Sequence, residues 1–221
     1  MTIRINMFVV GAIGTNCYLV WEDESGEAMI IDPGAYEPTI EHTIAENGLL
    51  LKYIALTHGH GDHIGGVPDF KSAHPDAVIA ASAQEISLLE SPASNGSEAM
   101  TGRSVKFTPE QLLQEGDALT LGDLTFQVIE TPGHTPGGLC FYVPEWDNDL
   151  IAHAYSGTLF SGDTLFHESV GRTDLTGGDF GTLKRSIREK LFALPDDTIV
   201  LPGHMDATTI GREKKYNNFV R

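Results

Sequence analysis

The sequence predicts an α/β fold, of the α+β kind, built from two strand-rich halves with helices on the outside. Short apolar runs that end in Gly- or Pro-containing turns indicate strands in both halves. Two longer stretches, residues 36–48 and 180–194, have the spacing of amphipathic helices. The chain has 221 residues, 41% of them hydrophobic and 20% charged, a globular composition that allows one larger domain or two small ones.

Strands alternate with helices in the first half. Residues 36–48 form the first predicted helix, with Ile40 and Ile44 facing inward. Residues 82–85 (Ser-Ala-Gln-Glu) have the form of a capping box, which predicts the start of another helix. A short helix is expected to begin near Asp62. The strands of this half are predicted over residues 3–10, 15–21, 27–31, 52–56 and 77–81.

The second half has more strands and one long helix. Residues 180–194 place Leu183 and Ile187 on one apolar face, and a proline ends the pattern. Residues 91–97 and 144–157 have the composition of loops. The strands of this half are predicted over residues 117–121, 124–129, 138–143, 158–161 and 197–201.

Residues 57–63 (Thr-His-Gly-His-Gly-Asp-His) carry the strongest chemical signal in the chain. The run follows a short apolar strand, and in an extended chain His58, His60 and Asp62 would face the same side. A single histidine in a loop is usually solvated or part of the core. Four potential ligands in six residues, including His63, predict a metal site, and imidazole with carboxylate suits zinc, iron or manganese.

Three later segments repeat one pattern, in which a short apolar strand runs into a turn and then into one potential ligand. Turns with Gly or Pro fix the backbone where a strand ends, which is a usual place for a functional site. The three segments are Thr-Pro-Gly-His ending at His134, Ser-Gly-Asp ending at Asp163, and Pro-Gly-His ending at His204.

These positions together resemble the metallo-β-lactamase superfamily, whose ligand series is His-x-His-x-Asp-His followed by a distant His, Asp and His. The resemblance extends from about Asn16 to the C-terminus. It implies a single domain over residues 1–221, an αββα sandwich of two mixed sheets with outer helices and the metals at one edge. Residues 131–137 and 161–166 resemble the glyoxalase II (hydroxyacylglutathione hydrolase) branch, in a short bacterial form. Asp163, where β-lactamases of this fold often carry cysteine, argues against the antibiotic-resistance branch.

The resemblance implies two divalent metal ions, with zinc preferred and iron or manganese as alternatives. Asp163 would bridge the two ions together with a water or hydroxide, and Asp62 and Asp163 are the predicted catalytic residues. The ligands implied for the first ion are His58, His60 and His134, and those for the second are Asp62, His63 and His204.

The implied reaction is hydrolysis of a small-molecule thioester such as S-lactoylglutathione by a metal-bridged hydroxide. Two alternatives stay open, a mononuclear iron persulfide dioxygenase of the same fold and a non-catalytic binding module, which ranks last because every ligand is present. Arg172, whose other interpretation is a loop salt bridge to Asp174, is a candidate substrate contact. The remaining candidates are Arg212, Lys214 and Lys215, although charges of this kind near the end of a chain are more often simply solvated. His153 and His167 are interpreted as non-ligands.

Charge, hydropathy and cysteine content indicate which partners and which cellular location the protein has. A formal net charge of −17 disfavours nucleic acid as a partner, because nucleic-acid binding depends on clustered Lys and Arg. The uncharged run over residues 7–21 is too short and too interrupted for a membrane helix, and it lacks the layout of a secretory signal. We therefore predict a cytoplasmic protein with no membrane partner. Cys17 and Cys140 are predicted to be buried free thiols, and the sequence leaves the oligomeric state open.

Overall fold

The computed structural model describes residues 2–144 and 156–221. The described strands are β1 (Ile3–Val10), β2 (Thr15–Glu22), β3 (Glu27–Ile31), β4 (Leu50–Ala55), β5 (Val78–Ser82), β6 (Gln111–Leu113), β7 (Ala118–Leu121), β8 (Leu124–Glu130), β9 (Leu139–Pro144), β10 (Gly157–Gly162), β11 (Leu165–Phe166), β12 (Ser169–Val170), β13 (Ile199–Pro202) and β14 (Thr208–Thr209). The described α-helices are α1 (Pro38–Glu46), α2 (Gly61–Ile64), α3 (Val67–Ala73), α4 (Ile86–Leu89), α5 (Pro92–Asn95), α6 (Ser97–Thr101), α7 (Phe180–Glu189) and α8 (Ile210–Tyr216).

Twelve of these strands form two mixed sheets of six. The first has the order β1-β2-β3-β4-β5-β6, antiparallel over β1 to β3 and parallel from β3 onward. The second has the order β14-β13-β10-β9-β8-β7, in which β10 and β13 are parallel and the other pairs antiparallel. The predicted pair of mixed sheets is therefore confirmed.

A continuous apolar layer lies between the two sheets. Side chains alternate along β2, so Tyr18 and Val20 face the second sheet while Cys17 and Leu19 face the helices. Tyr18 packs edge-on against Phe160 of β10, with ring centroids 5.3 Å apart. Burial of such large side chains contributes about 2 kcal/mol each, which holds the two sheets face to face.

Helices cover both outer faces, as predicted. On the first sheet, α1 buries Ile40 and Ile44. On the second sheet, α7 buries Leu183 and Ile187, and Leu191 follows in a 3₁₀ turn (Leu191–Ala193) because the helix ends at Glu189 rather than continuing to residue 194. The arrangement is an αββα sandwich. Within the described part of the chain, no helix combines the length and the apolar character needed to cross a membrane.

One local prediction is wrong and a second is only partly right. Residues 91–97 contain α5, capped by the Ser91 side chain, and the start of α6, with Gly96 at φ 71° between them. One-turn helices show no apolar period, so loop composition hides them. The predicted capping box forms only in part: a helical segment does begin there, because the Ser82 hydroxyl accepts from the N–H of Gln84 and the 3₁₀ turn Ala83–Glu85 continues into α4, but Glu85 turns into the interior instead of closing the box. Most of the predicted loop over 144–157, with His153, lies outside the described residues.

Candidate metal centre

The predicted ligands meet at one edge of the sandwich. Strands β4, β8, β10 and β13 all end there, and each is followed within a few residues by a ligand-bearing turn. Strands β8, β10 and β13 run in the same direction within their sheet, so their carboxyl ends share an edge. After β4 the chain is irregular through His60, and α2 begins at Gly61, as the predicted short helix requires.

His58, His60 and His134, here called the first triad, bring three ring nitrogens to one point. His134 Nε2 lies 2.9 Å from His60 Nδ1 and 3.3 Å from His58 Nε2. All three side chains are buried. Nitrogens bound to one tetrahedral zinc at its usual bond length would be about 3.3 Å apart. The first triad therefore has the donor set and spacing of a metal site.

Asp62, His63 and His204 form a second triad beside the first. His63 Nε2 lies 3.3 Å from His204 Nε2, and Asp62 Oδ2 lies 3.2 Å from His204 Nε2 and 3.7 Å from His63 Nε2. The second triad differs from the first in including a carboxylate, which is a harder and negatively charged ligand.

Asp163 lies between the two triads. Its Oδ1 is 3.3 Å from His63 Nε2, and its Oδ2 is 3.6 Å from His134 Nε2 and 3.8 Å from His204 Nε2. Oδ1 is buried without a well-aligned hydrogen-bond donor among the described residues. A buried carboxylate oxygen in that position needs a cation, so the cluster fits a dinuclear metal site.

The two triads differ in their protonation. Burial lowers the pKa of His58 well below its ordinary value and that of His60 to about 4. Burial opposes protonation of His63 as well, but the carboxylates of Asp163 and Asp32 raise its pKa well above the usual range. His204 is also raised, because its hydrogen bond to Asp62 and the charge of Asp163 outweigh burial. The first triad is thus neutral at neutral pH, whereas the second holds protons that a metal must displace.

This difference predicts unequal proton release on metal binding. A cation entering the second triad displaces protons from His63 and His204, so its affinity should rise with pH by about tenfold per unit for each proton displaced. The first triad should show a much weaker dependence over about pH 6 to 8, because its imidazoles are already neutral. Titration calorimetry of chelator-stripped protein, in buffers of different ionisation enthalpy, measures the number of protons released at each triad. Equal proton release at the two sites would contradict the assignment.

Asp32 is a candidate functional residue that the sequence did not reveal, because Asp-Pro-Gly at a strand end reads only as a turn. Its Oδ2 accepts from His63 Nδ1 at 2.9 Å and from the Thr57 hydroxyl at 2.5 Å, and Oδ1 accepts from the Thr57 N–H at 2.8 Å. The Thr57 oxygen in turn lies 3.1 Å from His58 Nδ1. Asp32 therefore turns the Nε2 atoms of His58 and His63 toward the two triads.

We expect Asp32→Ala to weaken metal binding at both sites by about tenfold to a hundredfold, because one ligand of each triad loses its orientation. The measurement is metal affinity by competition with a coloured chelator. Asp32→Asn, which keeps the shape and one acceptor, should lose less. Unchanged affinity in the alanine variant would remove this role from Asp32.

Two further contacts hold ligand-bearing turns. The Arg172 carbonyl accepts from His134 Nδ1 at 2.7 Å. The Asn16 amide donates to the carbonyls of Pro202 and Met205 at 3.0 and 2.9 Å, and the Tyr18 hydroxyl donates to the Pro202 carbonyl at 2.7 Å. Strand β2 of the first sheet thus fixes the turn that carries His204.

The ligands open onto a cleft of about 420 Å³. Apolar side chains form much of its wall, among them Ile13, Met100 and Phe166. A second lobe of about 320 Å³ adjoins it, and Ile13, Asp62 and Met100 line both. The cleft is large enough for a small organic substrate with Asp62 at the junction of its lobes.

The four basic candidates lie in different places. Arg172 lines the cleft. Its guanidinium also forms the salt bridge to Asp174 that was considered as its alternative role, with N···O distances of 2.7 and 2.8 Å. Arg212 pairs with Glu168 and His167, and Lys214 pairs with Asp196 at 2.5 Å. Lys215 lies over the Tyr216 ring. Of these four residues, only Arg172 belongs to the described lining of the cleft. His167, which was predicted not to be a ligand, lies outside both triads.

Comparison with known proteins identifies the same family that the ligand series of the sequence resembles. The profile of the Metallo-beta-lactamase superfamily matches residues 10–204. Hydroxyacylglutathione hydrolase GloC of Haemophilus influenzae is 37% identical over 98% of each chain. The crystal structure of BLEG-1 B3 metallo-beta-lactamase has a TM-score of 0.85 at 38% identity, covering 98% of this chain and 99% of that one. The crystal structure of TTHA1623 in a di-iron-bound form has a TM-score of 0.79 at 33% identity, covering 97% and 99%.

Proposed function

Because the chain belongs to the metallo-beta-lactamase superfamily, we propose that it is a binuclear metallohydrolase that cleaves thioesters of the hydroxyacylglutathione type. The observation that carries this proposal is the pair of triads with the Asp163 carboxylate between them. Zinc is the metal we propose first, since imidazole and carboxylate suit it. Iron is the alternative, because a relative of similar length has been crystallised in a di-iron-bound form.

Two divalent cations bound there would lower the pKa of a shared water and polarise the thioester carbonyl. The chain's own part is to fix this geometry. Asp62 and Asp163, the proposed catalytic residues, present carboxylate oxygens to the cleft, where they can hold a proton of the attacking water. Ile13, Met100 and Phe166 cover the cleft walls with apolar surface, which limits bulk water around the reacting group. A thiolate leaves readily, so the reaction does not require a general acid.

The choice of a thioester is supported by the relative named hydroxyacylglutathione hydrolase GloC, which this chain matches over nearly its full length. A β-lactam is the second candidate substrate, because BLEG-1, whose structure is described as a B3 metallo-beta-lactamase, is 38% identical. Arg172, the cationic candidate that lines the cleft, is proposed to meet a substrate carboxylate. It would do so by exchanging part of its pairing with Asp174, which lies on the exposed surface.

The test is hydrolysis of S-D-lactoylglutathione by purified protein, stripped with a chelator and then reloaded separately with zinc, manganese or iron. Metal content is measured for each sample, and a chromogenic β-lactam is assayed in parallel. Thioester cleavage that requires metal and exceeds β-lactam cleavage supports the proposal. Efficient β-lactam cleavage with no thioester cleavage would transfer the assignment to the second candidate, and inactivity of fully loaded protein toward both would reject both.

A mononuclear iron persulfide dioxygenase is the alternative from a different reaction class. The observation that favours it is geometric, because Asp163 Oδ2 lies 3.6 Å from His134 Nε2, so the first triad and this carboxylate can hold one metal ion without the second triad. Oxygen uptake with glutathione persulfide, by protein that contains one iron per chain, would support this reaction. No oxygen uptake by iron-loaded protein would dismiss it.

A further inference from the structure

A buried carboxylate joins the two loops that carry the first triad. Glu85 is 1% exposed and follows β5, at the end of the 3₁₀ turn Ala83–Glu85. Its Oε2 accepts from the N–H of Gly59 and its Oε1 from the N–H of Gly137, both at 2.7 Å. Gly59 separates His58 from His60, and Gly137 lies three residues after His134. One carboxylate therefore connects all three ligands of the first triad through the backbone.

The close packing around this carboxylate shows how tightly the two loops fit it. A Cβ added to Gly137 would lie 2.8 Å from Glu85 Oε1, and one added to Gly59 would lie 3.0 Å from Oε2. Replacement of Gly59 or Gly137 by a residue with a side chain is therefore disfavoured. A buried carboxylate is also expensive to desolvate, and burial raises the pKa of Glu85 against the effect of its hydrogen bonds. A leucine would leave both buried N–H groups without an acceptor and a glutamine would serve only one of them, so the two loops depend on both carboxylate oxygens.

Among the described residues, the hydrogen bonds of Glu85 reach only the two loops of the first triad. The turn that carries His204 is held instead by Asn16 and Tyr18, and His63 is held by Asp32. Asp62 and His63 belong to α2, whose backbone starts after the loop that Glu85 binds. The two triads thus have separate supports, apart from Asp32, which reaches both.

We propose that Glu85 is a positioning residue that sets the affinity of the first triad for its metal ion independently of the second. By holding the loops of His58–His60 and His134 at a fixed separation, it keeps the three nitrogens converged before the ion arrives. The proposal rests on the dinuclear centre of the proposed function, but it concerns metal affinity and is independent of the substrate.

The test is the metal affinity of Glu85→Gln, measured with cobalt and zinc by chelator competition and by the visible absorption of bound cobalt. Each site is isolated by a second substitution. His204→Ala leaves the first triad intact, and His60→Ala leaves the second. Glutamine has one acceptor oxygen in place of two, so we expect affinity to fall by about tenfold to a hundredfold in the His204→Ala background and to stay unchanged in the His60→Ala background.

A matched control is available in Glu22, another buried glutamate that accepts two backbone N–H groups. It is 3% exposed, and it binds Glu24 and Ser25 at 3.0 and 2.7 Å within the turn after β2. Glu22→Gln should leave both metal affinities at the wild-type value. Unchanged affinity in Glu85→Gln, equal loss at both sites, or the same loss in Glu22→Gln would overturn the proposal.

Glu85→Asp provides a second variant if the glutamine variant folds poorly. It keeps the charge but is one methylene shorter, so it can reach only one of the two loops, and we expect it to lose first-site affinity selectively as well. Wild-type affinity at the first site in this variant would contradict the proposal. Since no turnover is measured, these outcomes stand apart from the thioester assay, which can fail while the affinity result holds.

Discussion

Replacement of Asp163 by Asn is expected to lower kcat for thioester hydrolysis by about three orders of magnitude while the protein stays folded. The carboxylate lies 3.3 to 3.8 Å from ring nitrogens of both triads. Asp32 contacts His63 directly but reaches His58 only through the Thr57 hydroxyl. Asparagine removes one negative charge from between two divalent cations and turns an NH₂ group, a donor, toward them. The measurement is steady-state hydrolysis at equal protein and saturating metal, with metal content determined.

The matched control is Asp123→Asn. Asp123 is exposed in the turn between β7 and β8, at the opposite end of β8 from the metal edge, so its loss removes the same charge without touching the centre. Wild-type turnover in the control and a large loss in Asp163→Asn would locate the effect in the centre. Full activity of Asp163→Asn with two metals bound would refute the bridging role.

The candidate metal ligands, which the structure brings together in one cluster, could be predicted from the sequence because their signal is local. Four of them lie within residues 57–63, and His134, Asp163 and His204 each follow a strand and a turn that can be read from a few residues. The same holds for the main strands and for α1 and α7, whose patterns continue long enough to show a period.

The supports of the ligands could not be identified because their partners are remote in sequence. Glu85 binds residues 26 and 52 positions away, and Asn16 binds Pro202 across 186 positions. Locally, Asp32 reads as a turn residue and Glu85 as part of a capping box, and both readings are reasonable for an isolated segment. The pairing of β3 with β4 brings Asp32 to the centre, and the packing of the two sheets brings Glu85 and Asn16 to their partners there. Function at these positions is therefore a property of the tertiary structure.

Replacement of His60 by Ala is expected to abolish detectable turnover, with loss of one metal ion and retention of the fold. His60 Nδ1 lies 2.9 Å from His134 Nε2, and without it the first triad keeps two nitrogens, too few for a stable site beside a positively charged neighbour. The second triad does not include His60, so one ion should remain. Metal content, the melting temperature and hydrolysis are measured together. His42→Ala is the control, because His42 is an exposed imidazole that pairs with Glu46 of the same helix, α1, and lies outside both triads.

The reciprocal variant, His204→Ala, decides between the two reaction classes. His204 belongs to the second triad alone, where its Nε2 lies 3.2 Å from Asp62 Oδ2. If hydrolysis needs both ions, His60→Ala and His204→Ala should each lose it, since either leaves one cation without its partner. If the protein is instead a dioxygenase with one iron bound by the first triad, oxygen uptake with glutathione persulfide should be lost in His60→Ala and retained in His204→Ala. Equal and complete loss of thioester cleavage in both variants, each holding one metal per chain, is the result that the binuclear assignment requires.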